Sequence, residues 1–168
     1  MNHRIIFIVA AGLFFCFCNE ERPKENNYQA KSVSTVTDSA RSVNYDSLLT
    51  VLGNLQDSIR SKPGDKAIVE RYLQASYDTT SGIFRVVGKG VGNPRHPEAA
   101  RAVGQKLAAS YDGKRWSLFC KAWFTGSTII FGTSIKGDIA YSNTLFAKSD
   151  GDTLYVLLEV PVGSIEVK

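Results

Sequence analysis

Apolar residues open this chain as one unbroken run and recur farther on with two different periods. Ile5 to Phe17 reads IIFIVAAGLFFCF, with no charge inside it. Met1-Asn2-His3-Arg4 precedes it with a positive charge, and Asn19-Glu20-Glu21-Arg22-Pro23 ends it. A spanning helix needs about twenty apolar residues, so the run is too short to cross a bilayer. A charged start, a short apolar core and a polar boundary are the parts of a secretion signal, predicted over 1–18. The next stretch, 19–43, is polar and has no apolar period. It cannot bury enough surface to offset its ordering entropy, and we expect a flexible tether. An irregular arm packed on the domain is the other reading of these residues.

The pattern over 44–168 predicts a single α+β domain. Asn44 can cap a helix from Tyr45 to near Ser61, with Leu48, Leu52, Leu55 and Ile59 on one face. After Pro63-Gly64, Asp65 opens a second helix carrying Ile68, Val69, Tyr72, Leu73 and Ser76 on one side. This N-terminal helical hairpin is about as long as one tetratricopeptide repeat, but no second copy follows, and one repeat cannot form a solenoid. Ile83 to Val87 is β-branched and aromatic, the mark of a strand. A long helix is expected over 97–124, with Ala100, Val103, Leu107, Tyr111, Trp116, Leu118 and Ala122 able to line its buried side.

Beyond Gly126 the period falls to two. Strands are expected over 127–135, 139–147 and 153–160, with turns at Lys136-Gly137-Asp138 and Ser149-Asp150-Gly151-Asp152. The result is a helical hairpin, a strand, a long helix and a three-stranded antiparallel meander, the sheet covered on one face by the long helix.

Composition adds limits. The 168 residues have ordinary globular content, 43% hydrophobic, with 20 Lys and Arg against 16 Asp and Glu. The basic residues are scattered, with no block of like charge, which argues against nucleic acid as a partner.

Two of the 3 cysteines, Cys16 and Cys18, close the apolar run. This resembles the lipobox of bacterial lipoproteins, in which such a cysteine is acylated and becomes the mature N-terminus. Leu13 fits the third position before Cys16, while Asn19 and the polar run favour Cys18. The lipobox normally has a small residue before the cysteine, where this chain has Phe15 or Phe17. An ordinary cleaved signal and an uncleaved anchor are the other readings.

The second half carries a further resemblance. The strand end VVGKGVG precedes a helix with Ala100-Arg101 and Asp112-Gly113-Lys114-Arg115-Trp116-Ser117-Leu118. Gly137 to Ile139 and Asp150-Gly151 with Leu154-Tyr155-Val156 follow. Over 83–161 this resembles the LPP-twenty type bacterial lipoproteins and the N-terminal domain of flagellar T-ring proteins. The resemblance implies an envelope lipoprotein with a helix on a small sheet and no known catalytic activity. Gly113 departs from the family's usual alanine, and the helical hairpin lies outside the pattern.

Candidate chemistry is sparse. Gly88, Gly90 and Gly92 lie between strand and helix, where backbone N–H groups can cradle an anion. No Gly-Lys-Ser/Thr follows, and the dinucleotide glycine pattern is incomplete, so a flexible or bulged strand end is the plainer reading. His96, between Pro94 and Pro97, is expected on an exposed loop. Cys120, the one cysteine after the leader, is expected as a packed small apolar residue, although a Cys120–His96 nucleophile pair is conceivable. Asp150-Gly151-Asp152 looks like part of a calcium loop but sits in a hairpin turn. Trp116, Phe119 and Trp123 concentrate aromatic surface toward the helix end, a candidate partner or ligand surface.

These residues support a non-enzymatic, membrane-tethered envelope lipoprotein, in the periplasm or on an outer-membrane face. Its expected partners are the membrane, through an N-terminal lipid, and an envelope protein. No metal or cofactor is expected. The alternative is a small-ligand or lipid carrier using a crevice between the long helix and the sheet. An enzyme would rest on His96, Cys120 or carboxylates alone.

Overall fold

The structure is a computed structural model that describes residues 43–168. The expected leader, both lipobox cysteines and all of the tether but Val43 lie outside the described residues. Helix α1 (Tyr45–Ser61) starts where Asn44 Oδ1 accepts the Ser47 N–H at 3.0 Å. Helix α2 (Lys66–Ser76) starts at Asp65, whose carboxylate accepts the Ile68 N–H at 3.2 Å. Each cap satisfies an amide that the first helical turn leaves without a partner. Leu52, Ile59, Val69 and Tyr72 are fully buried, so the apolar face read from the sequence is the packed one.

A two-residue strand β1 (Tyr77–Asp78), strand β2 (Ile83–Val91), helix α3 (Glu98–Phe124), strand β4 (Asn143–Asp150) and strand β5 (Thr153–Pro161) follow, with the short strand β3 (Gly137–Ile139) before β4. The main sheet has the order β1-β2-β5-β4, antiparallel throughout. Pairing of β2 with β5 runs without a shift from Ile83 opposite Pro161 to Val91 opposite Thr153. Strands β4 and β5 are joined by Gly151-Asp152, where Gly151 takes φ +55°, a value that suits glycine. A last strand β6 (Ile165–Val167) pairs with β3 in a separate ribbon.

Side chains alternate across a strand. Gly88 and Gly90 of β2 press against α3, as does Leu158 of β5 against Gly113. Lys89 and its opposite Tyr155 therefore face the other way, where Lys89 Nζ meets Asp57 of α1 at 2.6 Å. Thus α3 covers one face of the sheet and the helical hairpin contributes to the other.

The structure departs from the sequence reading in three places. On α3, Val103, Leu107 and Tyr111 are 61%, 55% and 68% exposed, and Ala100 is exposed too. Trp116 and Ala122 are buried as expected and Leu118 is half-buried, while the rest of the buried side is Ala109, Gly113, Ser117, Phe119 and Cys120. Where β2 and β5 approach most closely, at Ala109 and Gly113, the sheet needs small residues beneath it, and Val103, Leu107 and Tyr111 face outward. Second, residues 127–135 form no strand, so the meander lacks its first member. Phe131 is half-buried and stacks on Trp116 at 3.7 Å from this loop. Third, Gly137 and Asp138, expected in a turn, lie in β3, and β4 starts at Asn143 rather than Ile139. The class stands: helices, an antiparallel sheet and a long helix packed on it.

Candidate functional site: the outer face of α3 and the crevice beside it

Three glycines set how α3 meets the sheet. A Cβ on Gly88 would overlap the Ala109 carbonyl oxygen and lie 2.8 Å from the Gly113 nitrogen. A Cβ on Gly90 would overlap the Gln105 carbonyl and lie 2.6 Å from the Ala109 nitrogen. On the helix, Gly113 leaves room for Leu158 of β5. Strand and helix backbones touch directly, which only glycine permits. Gly88 and Gly90 are thus paired strand residues without a bulge, and Gly92, just past the strand, packs under Arg101 and Gln105. The anion cradle is not formed: the Gly92 N–H bonds the Asp152 carbonyl at 3.2 Å, and the strand lies against the body of the helix rather than its first turn.

Asp112 joins three elements. Its Oδ2 accepts the Lys89 backbone N–H at 3.1 Å and Arg60 Nη2 at 2.8 Å. The Arg60 guanidinium also lies 5.3 Å from the Trp116 ring centre. One carboxylate therefore ties β2, α1 and α3, and its side chain is only 16% exposed. An Asp112→Ala variant leaves the Lys89 amide and the Arg60 Nη2 without their acceptor, with Asp57 still on Nη1. It should lose about 2 kcal/mol of unfolding free energy in a urea titration.

The aromatic residues proposed as a binding surface are mostly core. Trp116 and Phe119 are fully buried, and Trp116 sits between Phe131 and the edge of Tyr72. Trp123 is half-buried, with its Nε1 donating to the Ile129 carbonyl at 2.8 Å. No partner surface made by Trp116 and Phe119 exists. They pack the junction between the hairpin, α3 and the following loop.

Cys120 and His96 do not meet. His96 is in an exposed turn, its N–H on the Asn93 carbonyl. Cys120 lies 24 positions along the chain, nearly all of them in α3, or roughly 35 Å of helix rise. The thiol is buried beside Ser76, and burial pushes its pKa up to about 12. The same burial raises the Tyr72 hydroxyl, helped by the neighbouring thiol. Cys120 should resist a thiol reagent in the folded protein and react at once in denaturant. An unfolded thiol ionises near its ordinary value of 9.0 while the folded one stays protonated. The Cys120 contribution to stability is therefore constant below pH 9 and declines as pH rises toward about 12, which alkaline melting curves can show.

Asp150, Gly151 and Asp152 form the β4–β5 turn. Among the described residues, no three His, Cys, Asp or Glu gather as a metal site, and no helix is long and apolar enough to cross a membrane.

Two surface features remain. The first is the outward stripe Val103, Leu107 and Tyr111. The second is a crevice of about 410 Å³ between α3 and the outer half of the sheet. Lys106 and Ser110 form its helix wall, and Thr144, Ala147, Leu154 and Val156 its sheet wall. It borders β4, whose far edge pairs with no strand among the described residues. The sequence hid both features because they depend on which side of α3 is buried. The small residues Ala109 and Gly113 were the available signal. No protein-family model, curated protein or solved structure matches this chain.

Proposed function

We propose that this chain is a non-enzymatic, membrane-tethered envelope lipoprotein that works as a protein-interaction or structural module. Support for the tether is the charged start, the apolar run and the cysteines at 16 and 18. The observation that carries the module reading is the open β4 edge beside the apolar crevice. A strand edge without a neighbour offers main-chain donors and acceptors to an extended partner segment, and the crevice can receive that segment's side chains. The glycine-rich strand, Asp112 and Gly113, on which the lipoprotein resemblance rests, are explained here by helix-on-sheet packing. The reading gives them a structural role and no catalytic one.

A photo-crosslinking residue at Thr144, in the full chain in its own cell envelope, tests this reading. One discrete cross-linked protein is expected, lost when Ala147 is replaced by arginine. No adduct, or the same adduct from Glu70 on exposed α2, would count against it.

The crevice also favours the second reading, a carrier of a small ligand or lipid, because Ala147, Leu154, Val156 and Leu158 give it an apolar lining. A lipid or small molecule recovered with the purified chain, and lost on Ala147→Arg, would support the carrier.

A further inference from the structure

The outward stripe of α3 is too large to dismiss as scattered surface residues. Val103, Leu107 and Tyr111 recur every four positions and are each more than half exposed. Ala100 and Gly104 lie between them on the same side, and nothing approaches within 4 Å of the Cβ position of Gly104. At 100° per residue these side chains point about 120–220° away from Ala109, which faces the sheet.

The charges around the stripe have one sign. Lys106 lies to one side of it and Arg115 to the other, while Lys114 falls within its arc just past Tyr111, and none of the three is in an ion pair among the described residues. The two acidic residues of α3, Glu98 and Asp112, fall within about 60° of Ala109, toward the sheet. Asp112 is moreover held by Arg60 and the Lys89 amide. The outward face is thus an apolar stripe with a cation on each side, Lys114 at its C-terminal end, and no helix carboxylate.

We infer that this face is a docking site for an anionic lipid bilayer, with α3 lying flat against the headgroups. An apolar stripe bordered by Lys and Arg is the arrangement that binds membrane interfaces, where the apolar side chains enter the acyl boundary and the cations meet lipid phosphates. The charges argue against a second copy as occupant, since a two-fold pairing of α3 would bring lysines against lysines. They argue equally against a basic partner. The inference stands on α3 alone and does not require the N-terminal lipid.

The test uses the full chain with Cys16→Ser and Cys18→Ser, so that no acyl group is present. A Leu107→Cys substitution carries an environment-sensitive fluorophore, and Glu70→Cys on α2 carries the same label as a control. Buried Cys120 stays unlabelled. With vesicles of phosphatidylcholine plus phosphatidylglycerol, the label at 107 should shift to the blue and be quenched by nitroxide lipids. The label at 70 should do neither. Phosphatidylcholine alone should give little response, and raised salt should reverse the effect. Lys106→Gln with Lys114→Gln should weaken the response about thirtyfold in lipid concentration, at about 1 kcal/mol for each cation. Three results would overturn the inference: no change at 107 on anionic vesicles, an equal change on both vesicle types, or a shift that grows with protein concentration without vesicles. The last would assign the face to a second copy.

Discussion

Gly88→Ala is expected to lose about 3 kcal/mol or more of stability, although it adds a single methyl group. The new Cβ would overlap backbone atoms of α3, at Ala109 and Gly113, and backbone cannot rotate aside as a side chain can. The helix would have to lift from β2 along its length and loosen Val86, Leu158 and Trp116 with it. Domains of this size hold only about 5–15 kcal/mol in total. Gly104→Ala is the matched control. Gly104 is in the same helix, on its open side, and nothing meets an added Cβ. Alanine there should raise stability by about 1 kcal/mol, because it removes a helix-weakening glycine. Urea titrations of the two variants should move in opposite directions. A neutral Gly88→Ala would mean that the two backbones are not in contact.

The second large effect is at Trp116. Trp116→Ala should lose about 3–5 kcal/mol, the usual cost of emptying a large aromatic site in a core. Phe131, Phe119, Tyr72 and the Arg60 guanidinium all border that ring and would lose contacts together. Trp116→Phe should be mild by comparison. The buried indole N–H has no hydrogen-bond partner among the described residues, so removing it relieves an unsatisfied donor while keeping most of the ring. Thermal melts followed by circular dichroism can rank the two. Equal losses would show that the indole N–H is bonded, for example to a buried water.

The sequence was legible where apolar side chains do the packing. In α1, Leu52 and Ile59 mark the buried face at helical spacing, and Asn44 marks its start. The β4–β5 hairpin was legible because Asp150-Gly151-Asp152 is turn chemistry with a glycine where φ is positive. It was misleading in α3. The buried side there is built from Ala109 and Gly113 because β2 approaches at Gly88 and Gly90. A reading that follows large apolar residues then chooses Val103, Leu107 and Tyr111, the solvent side. Gly88 and Gly90 leave an anion cradle open beside the plainer strand-end reading for the same reason: a glycine that admits a phosphate and one that admits a helix are identical in sequence. Local β propensity predicts a strand over 127–135, where the structure has a loop that stacks Phe131 on Trp116. The candidate surface inherits this history. Aromatic content points to Trp116, Phe119 and Trp123, and the exposed stripe lies on the other side of the same helix.

The most direct measurement for the proposed role is the intact mass of the mature protein extracted from the membrane fraction of its own cells. A chain beginning at Cys18 or Cys16 and carrying two or three acyl groups is the expected result, and it would establish export, processing and attachment together. An unmodified chain that begins beyond Cys18, or one that retains Met1 and no lipid, would contradict a lipid-tethered envelope module.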